Sequence, residues 1–151
     1  MNGRSQRTCR KGRDLMRCLI DTNICIYIIN QHPVEVIKKF KKINIGDIGI
    51  SSITVSELQY GVSKSKHKEI NQQRLSEFLF PMSILAFDEN AAKCYGDIRY
   101  QLEKQGQIIG TLDLLIAAHA ISEQLIIVTN NDKEFRRIHD LPVENWVKNC
   151  H

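Results

Sequence analysis

Three acidic residues stand where they could serve phosphodiester chemistry. Asp21 ends a short apolar run, Glu57 follows a second one, and Asp113 lies among leucines. Cleavage of a phosphodiester requires an activated water and stabilisation of charge on the phosphoryl oxygens, and a hard divalent cation provides both. Hard cations prefer oxygen ligands, so several carboxylates must converge on one point. These three acids, with an acidic or amide group near residues 131–134, could form such a cluster.

Each acid also has a purely structural interpretation. Asp21 could cap the helix that follows it, and Glu57 could complete a capping box with Thr54. Asp113 falls in the first turn of a predicted helix, where a negative charge is favourable. However, an aspartate flanked by leucines risks partial burial, which the start of a helix does not require. The joint placement of the three acids favours a shared site.

The elements that position these acids alternate between strands and helices. We predict strands at 17–21, 48–52, 83–86 and 125–129, with an edge strand at 143–147. Helices are predicted at 24–29, around 34–40, from 54 to about 63, and at 67–80, 88–105, 111–123 and 132–138. This alternation indicates a largely parallel sheet covered on both faces.

Open parallel sheets bind ligands beyond the carboxyl ends of their strands. Asp21 ends the first predicted strand, and residues 130–134 follow the fourth. Glu57 is expected in the first turn of the helix after the second strand. The predicted topology therefore brings the candidate acids towards one edge of the sheet.

The chain has 151 residues, of which 42% are hydrophobic, as expected for one globular domain. Its apolar stretches are too short to cross a membrane. Residues 1–17 hold six arginines and lysines against one aspartate, whereas the remainder is almost neutral, so the net charge of +4 does not by itself indicate RNA binding. We predict a disordered basic extension over residues 1–16 and a single domain over residues 17–151.

The basic extension has two interpretations. It could be an arm that contacts RNA, or an upstream extension of a reading frame whose translation naturally starts at Met16. No apolar segment of the kind found in signal peptides follows it. The five cysteines form no CxxC pair and the histidines show no zinc spacing. We therefore expect a reducing, cytoplasmic compartment.

Four segments resemble the successive motifs of PIN-domain nucleases and, more narrowly, of VapC toxins from bacterial toxin–antitoxin pairs. They are Leu19–Ile24 (LIDTNI), Val55–Gly61 (VSELQYG), Gly110–Ala120 (GTLDLLIAAHA) and Val128–Phe135 (VTNNDKEF). The resemblance spans about residues 17–147, with all four motifs in the family's order.

The resemblance implies a PIN-like, three-layer α/β/α fold with a mainly parallel sheet of about five strands. It also implies a metal-dependent endoribonuclease that uses Mg²⁺ or Mn²⁺, a homodimer, and inhibition by a cognate VapB-like antitoxin. The RNA substrate is expected to be tRNA, in the anticodon loop. Asp21, Glu57 and Asp113 take the catalytic positions.

The metal ligands implied by the resemblance are Asp21 and Asp113, with Glu57 as a further candidate. Thr22, Asn23 and Thr129 match polar residues that shape the rim of the pocket.

The chain departs from the broader family pattern at the fourth acidic position. Many PIN domains have an aspartate where Asn131 stands, and a neutral amide would bind a second metal less well. Asp132, one residue further along a helix, points about 100° away. Glu134 shares the face of Asn131 and is the better substitute. We therefore expect one tightly held metal, with Asn131 and Glu134 as candidate outer ligands.

Other features have mainly structural interpretations. His119 is expected to be a core histidine with satisfied hydrogen bonds, and Tyr27 and Tyr60 to fill the core rather than stack on RNA. The lysines at 64, 66 and 68 are expected on a solvated face, with RNA contact as the alternative.

Two other classes of function remain open. One is a catalytically silent PIN-like module that binds RNA or protein, which Asn131 favours and the three acids disfavour. The other is an aspartyl-phosphate phosphatase, which would want an acid where Asn23 stands.

Overall fold

Five short parallel strands form the middle layer of the fold in the computed structural model, which describes residues 16–147. The strands are β1 (Cys18–Ile20), β2 (Ile48–Ser51), β3 (Ser83–Leu85), β4 (Ile126–Val128) and β5 (Val143–Glu144). Their order in the sheet is β3-β2-β1-β4-β5, and every pairing is parallel. Residues 1–15 of the predicted basic extension, which was expected over residues 1–16, lie outside the described residues.

Within the described residues, seven α-helices connect and flank the strands. They are α1 (Thr22–Asn30), α2 (Val34–Lys42), α3 (Ser52–Ser63), α4 (Lys68–Leu79), α5 (Glu89–Lys104), α6 (Thr111–Glu123) and α7 (Asp132–Phe135). A 3₁₀ turn, Ile45–Asp47, precedes β2. Asp88 caps α5 by accepting a hydrogen bond of 3.1 Å from the backbone N–H of Ala91. Gly106 follows α5 with a φ of 67°, a conformation that favours glycine.

The side chains of β1 alternate between two separate cores, one on each face of the sheet. Cys18 and Ile20 pack with buried residues of α1, α2, α3 and α4, together with Trp146. Leu19 packs on the other face with buried residues of α5, α6 and α7. Since helices cover both faces of the sheet, the three-layer α/β/α architecture predicted from the sequence is confirmed. Within the described residues, no helix has the length and apolar character that a membrane span needs.

The prediction for the start of α3 was wrong. Ser51, the last residue of β2, caps α3 by accepting a hydrogen bond of 3.0 Å from the backbone N–H of Ile53. Thr54 is instead buried inside the first turn, so the predicted capping box does not form. The helix begins directly where the strand ends, and Glu57 consequently lies in its second turn, not its first.

Two elements near the end of the chain are shorter than predicted. Strand β5 ends at Glu144 because Trp146 turns into the core, where it is 1% exposed. Helix α7 is a single turn that ends at Phe135, although Ile138 beyond it is still buried.

Candidate active site

Asp21 directly follows the central strand β1 and is the N-cap of α1. Its carboxyl group is buried, with the residue 4% exposed. Oδ1 accepts a hydrogen bond of 3.1 Å from the backbone N–H of Ile24, which caps the helix. Oδ2 accepts a hydrogen bond from the hydroxyl of Thr129. Asp21 is therefore both a helix cap and a buried acid, so the two interpretations of this residue are compatible.

Thr129 and Asn131 connect Asp21 to Asp113. The hydroxyl of Thr129, just after β4, donates to Asp21 and accepts a hydrogen bond of 2.9 Å from the backbone N–H of Asn131. The side-chain Nδ2 of Asn131 donates to Asp113 Oδ2 over 2.9 Å. Asp113 lies in the first turn of α6 and is half-buried. The ends of two neighbouring strands and one helix thus bring the two acids into one hydrogen-bonded network.

Burial and mutual repulsion make the carboxylates of this network costly to ionise. Burial raises the pKa of Asp21 to about 6, and the charge of Asp113 contributes to the increase. The hydrogen bonds from Thr129 and Ile24 oppose it, because they stabilise the ionised carboxylate. Burial also raises the pKa of Asp113; the hydrogen bond from Asn131 opposes this, and the nearby charge of Glu134 reinforces it.

The charge of this network is not balanced by a basic side chain. Among residues 16–147, no lysine, arginine or histidine forms an ion pair with Asp21, Asp113 or Glu134. A bound cation would offset the repulsion and lower the pKa values. The oxygen-rich donor set is the type that Mg²⁺ and Mn²⁺ prefer.

The structure does not place Glu57 in this network. Glu57 lines a different cavity of about 240 Å³ between α1, α3 and α4, together with Asn30, Leu58 and Arg74. Across residues 16–147, no group of three acidic, histidine or cysteine side chains is positioned to share a metal ion. The predicted cluster of three acids is therefore reduced to Asp21 and Asp113. The earlier start of α3, at Ser52, places Glu57 in the second turn of the helix and not in the first.

The predicted rim residues occupy three different environments. Thr22 is half-buried and Asn23 is exposed in the first turn of α1, where the backbone N–H of Asn23 also favours the ionised Asp21. Thr129 is fully buried between the acids instead of lying at the rim. Its contact with Asp21 joins residues 108 positions apart, for which the sequence contains no local signal.

His119 is a core histidine, as predicted, but only one of its ring nitrogens is hydrogen-bonded. Nδ1 lies 2.8 Å from Ser51 Oγ, and the ring of Phe87 packs edge-on at 5.5 Å. Nε2 is buried without a hydrogen bond among the described residues, 4.0 Å from Glu123 Oε2. Burial lowers the pKa of His119, which favours the neutral ring. Ser51 was missed by the sequence analysis because its role depends on where β2 ends.

The two tyrosines that were predicted to fill the core lie in different environments. Tyr27 packs partly against the core, and its hydroxyl accepts a hydrogen bond of 3.1 Å from Asn130. Tyr60 was predicted to be a core residue, which is wrong: it is 59% exposed, with Lys64 Nζ 4.8 Å from its ring centroid. Lys64, Lys66 and Lys68 are exposed, as expected for a solvated face.

Comparison with known proteins identifies the family of this chain. Residues 18–141 match the model of the PIN domain. The chain belongs to the PIN-domain family. Within it, the chain is a member of the VapC toxins, since it is 50% identical over 131 residues to "Ribonuclease VapC2" of Rickettsia felis, with 86% of this chain and 98% of the relative covered. It is 42% identical over 132 residues to "tRNA(fMet)-specific endonuclease VapC" of Shigella flexneri, covering 87% and 99%.

Solved VapC structures share the fold. VapBC2 from Rickettsia felis, bound to a DNA fragment from its promoter, matches with a TM-score of 0.79 and 49% identity over 87% of this chain and 99% of that one. DNA-bound VapBC from Salmonella typhimurium matches with a TM-score of 0.83 and 38% identity, at the same coverage. The PIN-domain fold and the VapC membership predicted from the four motifs are both confirmed.

Proposed function

We propose that this VapC protein is a divalent-cation-dependent endoribonuclease whose centre is the network of Asp21 and Asp113. The observation that supports it is that two carboxylates, the buried Asp21 and the half-buried Asp113, accept hydrogen bonds from Thr129 and Asn131 in one network and have no basic partner among residues 16–147. Uncompensated buried carboxylates are unfavourable unless a cation joins them. The same network would therefore be stabilised by the ion that the chemistry requires.

Asp21 and Asp113 would hold one Mg²⁺, or Mn²⁺ in its place, with Glu134 beside Asp113 as an outer ligand. When bound, the cation supplies Lewis acidity, which activates water and offsets charge on the phosphoryl oxygens. Thr129 keeps Asp21 in place and Asn131 keeps Asp113 in place through the hydrogen bonds described above. We expect a single metal. The amide of Asn131 orients Asp113, whereas a fourth carboxylate at the position of Asn131 would favour a second ion.

Glu57 enters the proposal as the residue that completes the shell of the cation or orients the water. It lies on the helix that follows β2, and β2 pairs directly with β1, the strand that Asp21 follows. Helix α3 also packs against α1, which Asp21 caps, and against α6, which carries Asp113. Replacement of Glu57 by glutamine tests this role separately from the two central acids.

The substrate we propose is tRNA, cut in the single-stranded anticodon loop. Relatives of Shigella flexneri and Salmonella typhimurium, 42% and 38% identical, are named as tRNA(fMet)-specific endonucleases. Unpaired loops expose base edges and backbone in a way that double-stranded RNA does not.

The partners we propose are a second copy of this chain and a VapB-like antitoxin. Structures of VapBC complexes from two bacteria contain chains of the same fold with at least 38% identity to this one. The antitoxin would inhibit the enzyme by covering the pocket around Asp21 and Asp113. Co-expression with the antitoxin should restore the growth of cells that the toxin alone arrests.

The direct test compares the full chain with an Asp21→Asn variant on total tRNA, with Mg²⁺ and with EDTA. We expect discrete cleavage by the unaltered chain in Mg²⁺ and none in the other conditions. Lys41→Ala, on the exposed end of α2, serves as a matched control that should cleave normally. Cleavage that survives both EDTA and Asp21→Asn would exclude this mechanism.

A silent RNA-binding module is the second candidate. It is favoured by the absence, within residues 16–147, of three side chains already positioned to share a metal. This candidate predicts RNA binding without cleavage in Mg²⁺ or Mn²⁺, and no arrest of growth on expression.

A further inference from the structure

A polar groove of about 350 Å³ adjoins the acids on the β4–β5 side of the sheet. Its lining residues are Asn130, Asn131, Asp132, Lys133, Asn145 and Val147. Asn131 belongs to both places, because it lines the groove and donates to Asp113. An RNA strand that has its scissile phosphate at Asp113 can therefore continue into this groove.

One wall of the groove is held in place by hydrogen bonds. Asn145 donates to Asp132 Oδ1 over 3.1 Å and accepts from the backbone N–H of Val147 over 2.9 Å. Asp132 in turn lies 3.6 Å from Arg136 Nε, which offsets its charge. This wall is thus preformed and close to neutral.

Two side chains of the groove keep groups free for a ligand. The amide nitrogen of Asn130 donates to Tyr27 over 3.1 Å, whereas its Oδ1 accepts no hydrogen bond within residues 16–147. Lys133 is exposed and forms no ion pair within the same residues. The groove therefore offers the amide oxygen of Asn130 as a hydrogen-bond acceptor and Lys133 as a cation.

The negative charge of the neighbouring acids makes a cation such as Lys133 favourable for RNA binding. Phosphates that flank a scissile bond are repelled by the carboxylates of Asp21, Asp113 and Glu134. A lysine beside those acids compensates the repulsion at the position where the next phosphate must lie. An amide oxygen at the same place can accept from the amino or imino groups of an unstacked base.

We propose that this groove is a nucleotide subsite for single-stranded RNA, in which Lys133 pairs with the phosphate next to the scissile one and Asn130 contacts the base. The inference rests on the proposed function only in taking RNA as the substrate. Lys133 is then a binding residue that orients the strand, and Asn130 contributes to sequence preference.

Binding without cleavage tests the subsite. The full chain carrying Asp21→Asn is titrated in EDTA against a fluorescein-labelled single-stranded RNA oligonucleotide, and anisotropy is followed at several salt concentrations. Adding Lys133→Ala should raise Kd roughly threefold to tenfold and reduce the slope of log K against log salt by about 0.7, the value for one phosphate contact on a single strand. Lys133→Arg should keep the slope, and Lys41→Ala should change neither quantity.

The base contact is tested by a different readout. Asn130→Ala should leave the salt slope unchanged but reduce the difference in Kd among oligonucleotides that differ at one base. An unchanged slope in Lys133→Ala, an equal loss in Lys41→Ala, or a parent chain that binds no RNA would overturn the subsite. Thermal unfolding of every variant shows that a loss of binding is not a loss of folding.

These outcomes also separate the subsite from the proposed function. If the unaltered chain cuts tRNA in Mg²⁺ while Lys133→Ala binds with an unchanged slope, the enzyme stands and the subsite is wrong. If the slope depends on Lys133 but no RNA is ever cut, the subsite stands and the nuclease is wrong.

Discussion

Asn131 Nδ2 lies 2.9 Å from Asp113 Oδ2 and donates a hydrogen bond to it. At a position where many PIN domains carry a further aspartate, this chain thus places a donor that stabilises an existing carboxylate. The side-chain amide of Asn131 restrains Asp113, and the backbone N–H of Asn131 donates to the same Thr129 hydroxyl that holds Asp21. The departure from the family pattern therefore has a structural consequence: one fewer negative charge and one more positional restraint.

Asn131→Asp should destabilise the metal-free protein and strengthen metal binding. A carboxylate at hydrogen-bond distance from Asp113 removes a donor and adds repulsion, which should lower the free energy of unfolding by about 1–3 kcal/mol in EDTA. Urea denaturation measures this loss, and calorimetric titration with Mn²⁺ should show a lower Kd. Asn130→Asp is the matched control, because Asn130 contacts Tyr27 and not Asp113. Equal Mn²⁺ affinity in both variants would contradict the prediction.

Thr129→Val should cost more stability than Thr129→Ser. Valine keeps the volume of the buried threonine but leaves Asp21 Oδ2 and the backbone N–H of Asn131 without their hydroxyl partner. An unsatisfied buried group costs about 1–3 kcal/mol. Serine keeps the hydroxyl and loses one methyl group, at about 1 kcal/mol. Chemical denaturation at neutral pH in EDTA compares them, and a valine variant as stable as the serine variant would show that the hydroxyl does not hold Asp21.

The stability of the metal-free protein should fall as the pH rises through the range in which Asp21 ionises. Its pKa is raised from 3.8 to about 6 in the fold, so the folded state binds the proton more tightly than the unfolded state. The free energy of unfolding should therefore decrease between about pH 4 and pH 6, by about 3 kcal/mol at most. Asp21→Asn should flatten this part of the profile, measured by urea titrations in EDTA. Parallel profiles for the two proteins would contradict the prediction.

Ser51 and His119 should be energetically coupled. The Ser51 hydroxyl caps α3 and contacts His119 Nδ1 at 2.8 Å, so it connects the second strand to the helix that carries Asp113. Ser51→Ala should lower the free energy of unfolding by about 1–3 kcal/mol. In a double-mutant cycle with His119→Ala, the two losses should sum to more than the loss in the double variant by about 0.5–3 kcal/mol. Strict additivity would show that the contact contributes nothing.

Much of the candidate site could be predicted because its residues follow elements with a clear hydrophobic pattern. Asp21 directly follows an apolar strand and Asp113 interrupts an apolar helix, and both lie where expected. Glu57 illustrates the limit. Its helix starts at Ser52 and not at Thr54, because the hydroxyl of the last strand residue was available as a cap. A pattern of threonine and glutamate could not reveal which hydroxyl would be used.

By itself, the sequence determined the alternation of strands and helices, and with it the sheet edge at which the acids emerge, because hydrophobic periodicity and strand direction are local properties of the chain. Only the tertiary structure decided which polar groups meet there: Thr129 with Asp21, Asn131 with Asp113, and Ser51 with His119. These partners are as many as 108 residues apart. Which of them pair depends on how β4 lies against β1 and how α6 packs against α3, and no periodicity encodes those distances.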